Sequence, residues 1–550
     1  MYFPNEPRRR LTPIKLLLSF KNLLASTGRG ETCPKRVGNS SPRPVHPNLQ
    51  RLLWFVPLLL LGLEVLWVLG VNFLLKTDGA VFGWVNLKPE KFRMDWVRAF
   101  SYWPGDLRMT GVRIRGNNLT TQWMVSMDRA RTQVGLGALL DKRFLGQRLR
   151  AEGVVFHLRR LPYAEARLKT EEVVAPIPWS DFLSRPSDAE VREILAAQIR
   201  PPKNKIWAVD LREAEAGNVR EIWIDEFRYR GGGSAQGSLL LRPRQKLNLE
   251  AFRTVVGPGI VTLGIDQVLR VRSGRLSLGF PEVNTALYRG GAVLQKLEAQ
   301  ILIDGNVPDI RFAKFYRDRF AEFEISGTPG DLSVDCSASQ GVLHGNVTLR
   351  GDAVHGTYRN AAWRGDLRID GIIKRWVLGQ GEIDISGTHG SMINVAIDKA
   401  GESRRLAQNW SGDATFQQGT LRLGESNKLE ASVVGKIQDS RPLLELFPAH
   451  KELPWLLKSI LSERNLDASA SIRAGRDLVE VRALEVNGEK LRLQARLRME
   501  QGFRPHGILY VKRGVISIGL ETGGDRSVKL VKAKEWFEHH PLLRPPDGGD

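Results

Sequence analysis

Along most of this chain, apolar residues recur at every second position. Leu491, Leu493, Ala495, Leu497 and Met499 alternate with Arg492, Gln494, Arg496 and Arg498, which predicts a strand over residues 490–499 with one dry and one wet face. The same alternation recurs over residues 297–303, 321–325, 332–338, 367–369, 383–385 and 421–423. Clusters of Gly, Asn and Asp at 327–330, 345–346, 351–352 and 523–525 read as turns between strands. No fixed-period repeat motif runs through the chain. Residues 200–205 and 231–233 read as loops.

Helical patterns are few. Ser187 and Glu190 form a capping box that opens a helix with Val191, Ile194, Leu195 and Ile199 on one face, stopped by Pro201 and Pro202. Residues 442–464 hold two short apolar pieces broken at Pro448 and Pro454, read as an excursion between strands or a cap on the sheet. Residues 533–540 predict a last short helix.

One stretch breaks the period of two. Residues 52–75 are Leu-rich and carry one charge, Glu64, and the stretch is long enough to cross ~30 Å of hydrocarbon. A central acid costs about 3 kcal/mol on insertion scales and each Leu returns about 0.5, so the Leu-rich segment inserts in spite of Glu64. Glu64 either meets a polar group on a partner helix or is simply tolerated. Residues 1–51 carry ten Lys and Arg against two acids, and the positive-inside rule places this tail in the cytoplasm and the remainder outside. Within the tail, residues 11–26 have an apolar face suited to an anionic leaflet, or form a plain solvated tail.

Composition sharpens this reading. With 550 residues the chain exceeds a single core of roughly 250–300, so the region beyond the span is several units or one elongated repetitive body. Two cysteines, Cys33 and Cys336, fall on opposite sides of the predicted span and rule out a disulfide scaffold. The net charge of +21 favours anionic partners without naming one. Its basic residues interleave with acids, as in Arg364, Asp366, Arg368 and Asp370, and aromatics are sparse, so a nucleic-acid surface is not expected.

No catalytic chemistry stands out. The sequence contains no HExxH, no GxSxG and no Walker loop. His344 and His355 flank a predicted turn and read as surface histidines, and His539 and His540 point apart. No cofactor, no metal and no enzymatic activity are expected.

Two stretches resemble a known family. Gly111-Val-Arg-Ile, an amphipathic piece at 134–145, and Leu149-Arg-Ala-Glu-Gly-Val-Val-Phe-His-Leu follow the span in the order strand, short helix, strand with an "EGV" turn. Towards the C-terminus come Gly435-Lys-Ile, Pro442-Leu-Leu-Glu-Leu-Phe, residues 466–472, Leu484-Glu-Val-Asn-Gly and residues 491–497. Together these are similar to the AsmA-like proteins of Gram-negative envelopes. The resemblance implies an inner-membrane anchor, a periplasmic β-groove that holds lipid chains, and a role in moving phospholipid or in envelope homeostasis.

The expected fold is therefore mainly β. One N-terminal transmembrane helix precedes a long, curled, repetitive antiparallel sheet, groove-like, with a few short helices. The expected divisions are a basic tail (1–51), the span (52–75), an N-terminal β unit (76–200), a repetitive body (201–440) and a C-terminal unit (441–550). Candidate groove-lining residues are Leu332, Val334, Leu367, Ile369, Ile383, Ile385, Leu421, Leu423, Leu491, Leu493 and Leu497. Expected partners are a phospholipid or other acyl lipid, the inner membrane and an envelope protein. The alternative function is a scaffold for outer-membrane protein insertion or secretion.

Overall fold

A computed structural model describes residues 47–87, 92–117, 121–160, 207–224, 227–242, 245–263, 266–284, 287, 290–308, 323–326, 330–358, 361–378, 380–399, 405–423, 428–440, 462–475, 478–500, 506–522 and 528–540. Residues 1–64 and 65–550 form two compact units. The apolar tail piece at 11–26, the capping-box helix at 187–199, most of the 442–464 excursion and the turns at 327–329 and 523–525 lie outside the described residues.

The first element, α1 (Pro47–Leu74), contains a 20-residue stretch, Phe55–Leu74, long and apolar enough to cross a membrane. Three short helices follow in the second unit, α2 (Ala80–Val85), α3 (Leu136–Leu140) and α4 (Ala533–His539), with one 3-10 turn at Gly290–Lys296. All other described elements are strands, twenty-six of them, hydrogen-bonded into one long curled sheet.

Neighbouring strands are nearly all antiparallel and joined in chain order, as short connections between alternating segments require. Among the described residues two pairs are parallel: Arg143–Glu152 with Ala208–Gly217, and Val155–Arg160 with Glu221–Ile224. A parallel step needs a crossover of a dozen residues or more, and the chain from 161 to 207 supplies that length. The "EGV" at 152–154 is a turn, with Gly153 at φ +66 and its N–H bonded to Gly217 O.

Three expected breaks are not breaks. Gly231–Gly233 lies inside the strand Phe227–Arg242, so its glycines are not a loop. Gly345-Asn346 and Gly351-Asp352 both lie inside the strand Val342–Tyr358. His344 and His355 therefore sit on one strand rather than across a hairpin. The reason is that glycine tolerates a strand wherever a neighbouring side chain must lie against the backbone, and period-two glycine is compatible with pleating.

What curls the sheet is a set of β-bulges. Arg148, Glu213, Ala251, Ala353, Asn394 and Asn409 each have φ near +50 and each sit at a register shift with one extra residue on their strand. A bulge bends its strand and increases local twist. They are grouped: Arg148 and Glu213 lie on adjacent strands, as do Asn394 and Asn409.

The buried residues form separate clusters rather than one core. Near the start, Trp96, Met109, Val112, Met127, Ala130, Ala151, Val154 and Val219 pack together, with Val81 and Phe82 of α2 against them. Near the end, Leu466, Val486, Leu491, Leu493, Ala495, Leu509 and Val511 form a closed cluster. On the opposite face of the strand His506–Arg513, Ile508 and Tyr510 are covered by Ala533 and Phe537 of α4. That strand is buried on both faces, which explains why its run Ile508-Leu-Tyr-Val does not alternate.

Candidate functional site

In a sheet, directly opposite residues project to the same face, so the register tracks one face across strands. Starting at Gly305, the chain of partners runs through Leu332, Leu349, Ile369 and Gly390 to Ala414. It continues through Gly435, Ala468, Val486, Leu493 and Val511 to Ile518. Backwards from Gly305 it passes Val271 and Gly259 to Gly231. Every member is apolar or glycine. One dry face is thus continuous from the strand Phe227–Arg242 to the strand Ile516–Thr522.

The sequence candidates share this face. Leu332 and Ile369 lie on the row itself, and Val334 and Leu367 stand one pleat away. Ile383 opposes Trp376 and Leu421, and Trp376 packs on the same cluster as Val334. Ile385 and Leu423 lie just past strand ends, their N–H groups bonded to Gly419 O and Gly381 O. Leu491, Leu493 and Leu497 alternate along one strand.

Their exposure differs along the sheet. Leu332, Val334, Leu367, Ile369, Ile385, Leu421 and Leu497 are half-buried, Ile383 is buried and Leu423 is exposed. Leu491 and Leu493, at 2% and 1% exposure, belong to the closed C-terminal cluster. The dry face is accessible through the middle strands and sealed at the end.

Aromatics lying on glycine were not legible as part of this face. Tyr229 is buried with its hydroxyl donating to Gly232 O (2.7 Å) and close to Gly257 O (2.9 Å). Its ring occupies the space a Cβ would take at Gly231 and at Gly259. Trp123 covers its cross-strand partner Gly116, and Trp363 covers Gly356 in the same way. The available signal was glycine recurring at 231, 233 and 237, the period of a strand face.

The other face is polar. Arg272 bridges Asp304 (2.8 Å) and Asp331 (2.7 Å) on successive neighbouring strands. Those bonds raise the Arg272 guanidinium above its usual range and hold the Asp304 carboxyl below its own. A second cluster joins the parallel pair. His157 Nε2 lies 2.9 Å from Glu221 Oε1, and Arg228 grips both Glu221 oxygens at 2.9 Å while stacking on Trp223. Burial lowers the His157 imidazole, with Glu221 opposing. Burial raises the Glu221 carboxyl, and Arg228 and His157 more than offset it, so it lies below its usual value. This arrangement latches two strands through charge-assisted bonds.

Cys336 is buried within the dry-face cluster, and burial pushes its thiol up, away from the reactive thiolate. Among the described residues, no group of three or more His, Cys, Asp or Glu is placed to hold a metal ion. No family model, no curated protein and no solved structure matches this chain.

Proposed function

We propose that this protein holds lipid acyl chains on the dry face of its sheet and transfers them away from the membrane that anchors it. In this reading the chain is of the AsmA-like type, in the inner membrane of a Gram-negative cell. Its N-terminal tail is cytoplasmic and its sheet periplasmic, serving outer-membrane biogenesis or envelope homeostasis. It works by binding, not by catalysis.

One observation carries the reading. The apolar row is unbroken in register, and its side chains Leu332, Leu349, Ile369 and Ala414 stay only half-buried, although neighbours on the same face such as Cys336 and Ile383 are buried. Half-exposed aliphatic side chains on one continuous face are unsatisfied surface, and each methylene they remove from water contributes about 0.8 kcal/mol. Acyl chains match that surface chemically, and a lipid is at hand wherever a spanning helix is.

The test is site-specific photocrosslinking in intact cells with the full chain. A photoreactive residue at Leu332, Ile369 or Leu421 is expected to give phospholipid adducts by mass spectrometry, and one at wet-face Arg368 none. A folded protein without adducts at all three dry positions overturns the reading. Leu493→Glu is unsuitable as a loss-of-binding variant, because a charge at that wholly buried site breaks the fold.

A second reading, the assembly scaffold, is favoured by one feature. Among the described residues, the outer edge of the strand Ile516–Thr522 is paired only at Gly519 and Leu520. An open edge accepts a client strand. Crosslinks from Ser517 to an envelope protein, without lipid adducts on the dry face, are the outcome that selects it.

A further inference from the structure

Ser101 is tied to the C-terminal part of the apolar helix by three hydrogen bonds. Asn72 Nδ2 donates to Ser101 O (2.9 Å), Ser101 N–H donates to Asn72 Oδ1 (2.8 Å), and Trp67 Nε1 donates to Ser101 Oγ (3.2 Å). Trp67 and Asn72 lie seven and two residues before the helix end at Leu74, so they stand about 10 Å and about 3 Å inside it at ~1.5 Å per residue. Ser101, bonded to both side chains, therefore lies beside the last two turns of the helix. Backbone at membrane depth must have its polar groups satisfied within the protein, and the Asn72 amide satisfies both the N–H and the C=O of Ser101.

The side chains around Ser101 are large, apolar and exposed. Phe100, Tyr102 and Trp103 are 37%, 47% and 64% exposed. The neighbouring turn adds α3, whose Leu136 and Leu140 are 42% and 91% exposed; Val134 N–H donates to Gly105 O and joins the two turns. Arg108 lies over the Tyr102 ring, so a cation stands beside the aromatic cluster. Trp and Tyr with flanking Arg are the side chains that sit at the boundary of hydrocarbon and headgroups.

We infer that Phe100–Trp103, together with Leu136 and Leu140, forms a second membrane contact that seats in the leaflet at the C-terminal end of the helix. The occupant of this patch is the lipid surface itself. The inference rests on reading Phe55–Leu74 as a membrane span. It gives the sheet two attachments at its first strands, a helix end and an interfacial wedge, so these strands are held against the bilayer rather than tethered beside it.

The test uses the full-length protein, with Cys33 and Cys336 changed to Ser, in vesicles of phosphatidylethanolamine and phosphatidylglycerol. An environment-sensitive fluorophore is attached at Trp103→Cys or Leu140→Cys, at Leu69→Cys on the helix, and at Lys512→Cys as a control away from the patch. Nitroxide-labelled lipids are expected to quench most of the emission at 69, 103 and 140 and little at 512. Iodide in the buffer is expected to show the reverse order. Quenching at 69 with 103 and 140 behaving like 512 overturns the wedge and leaves the span intact. Loss of lipid quenching at 69 as well removes the span, and the wedge with it. Unchanged circular dichroism keeps misfolding from imitating either result.

Discussion

Asp366 accepts a hydrogen bond from the backbone N–H of Ala353 (3.1 Å), which is the left-handed residue of a bulge on the adjacent strand. Its other oxygen accepts from the side chain of Asn394 (2.9 Å), the left-handed residue of a bulge on the strand to the other side. One carboxylate on the strand between them therefore fastens two bulges. The residues after them, Val354 and Val395, are 0% and 1% exposed; Val395 closes over Gly365, the cross-strand partner of Val354. The bend and the apolar contact are parts of one device.

Removing the fastener should loosen it. Asp366→Ala deletes both bonds and is expected to destabilise by about 1–3 kcal/mol, taking roughly 0.5–1.5 per hydrogen bond. Ala353→Gly keeps the N–H and relieves the left-handed strain, so it should stabilise by up to ~1 kcal/mol. Thermal unfolding of the purified protein followed by circular dichroism checks both. A destabilised Ala353→Gly refutes the strain argument.

Gly365 and Gly390 give a paired contrast. A Cβ at Gly365 would meet Val395 Cγ2 at 2.7 Å and the Val395 backbone at 2.9 Å, whereas a Cβ at Gly390 meets nothing within 4 Å. Gly365→Ala is expected to cost about 1–3 kcal/mol through overpacking, and Gly390→Ala close to nothing. Equal melting temperatures for the two variants would count against the packing described.

Stability should fall in acid, in two windows. Asp366 is held below its usual value by the Ala353 N–H first and Asn394 second. Its contribution is therefore complete above about 3.9 and lost as pH falls through the depressed value. His157 is lowered by burial, so the unfolded chain takes up its proton first as pH falls. Its contribution is complete above about 6.5 and declines below it. Melting temperature against pH in wild type, Asp366→Asn and His157→Gln resolves them: each variant should flatten its own window and leave the other.

Truncating an aromatic over its glycine should uncover backbone. Trp363→Ala is expected to lose about 3–5 kcal/mol, since the indole lies against its partner Gly356 as well as its neighbours. Urea unfolding is the measurement, and a loss below ~1 kcal/mol would show that the indole packs on nothing that matters.

Much of the architecture is written in the period of two. The alternation at Leu491, Leu493, Ala495 and Leu497 needs no partner to be recognised, because pleating alone puts those residues on one side. The apolar segment ending at Leu74 is legible for a similar reason, as length and hydrophobicity are properties of the chain. Residues 231–233, 345–346 and 351–352 were not legible. Glycine is common to turns, bulges and flat strands, and only the neighbour distinguishes them: Tyr229 lies over Gly231, and Asp366 beside Ala353 turns Gly351-Asp352 into the start of a bulge.

The sequence by itself determined that there is a dry face, an apolar helix and a chain of strands, because these follow from local periodicity. Which dry-face residues are sealed and which stay accessible was decided by the tertiary structure. Leu493 and Ile369 look alike in sequence and share one row of partners, yet one is 1% exposed and the other half-buried. Burial depends on what packs over a face, and that is set by bulges and closing strands far apart along the chain.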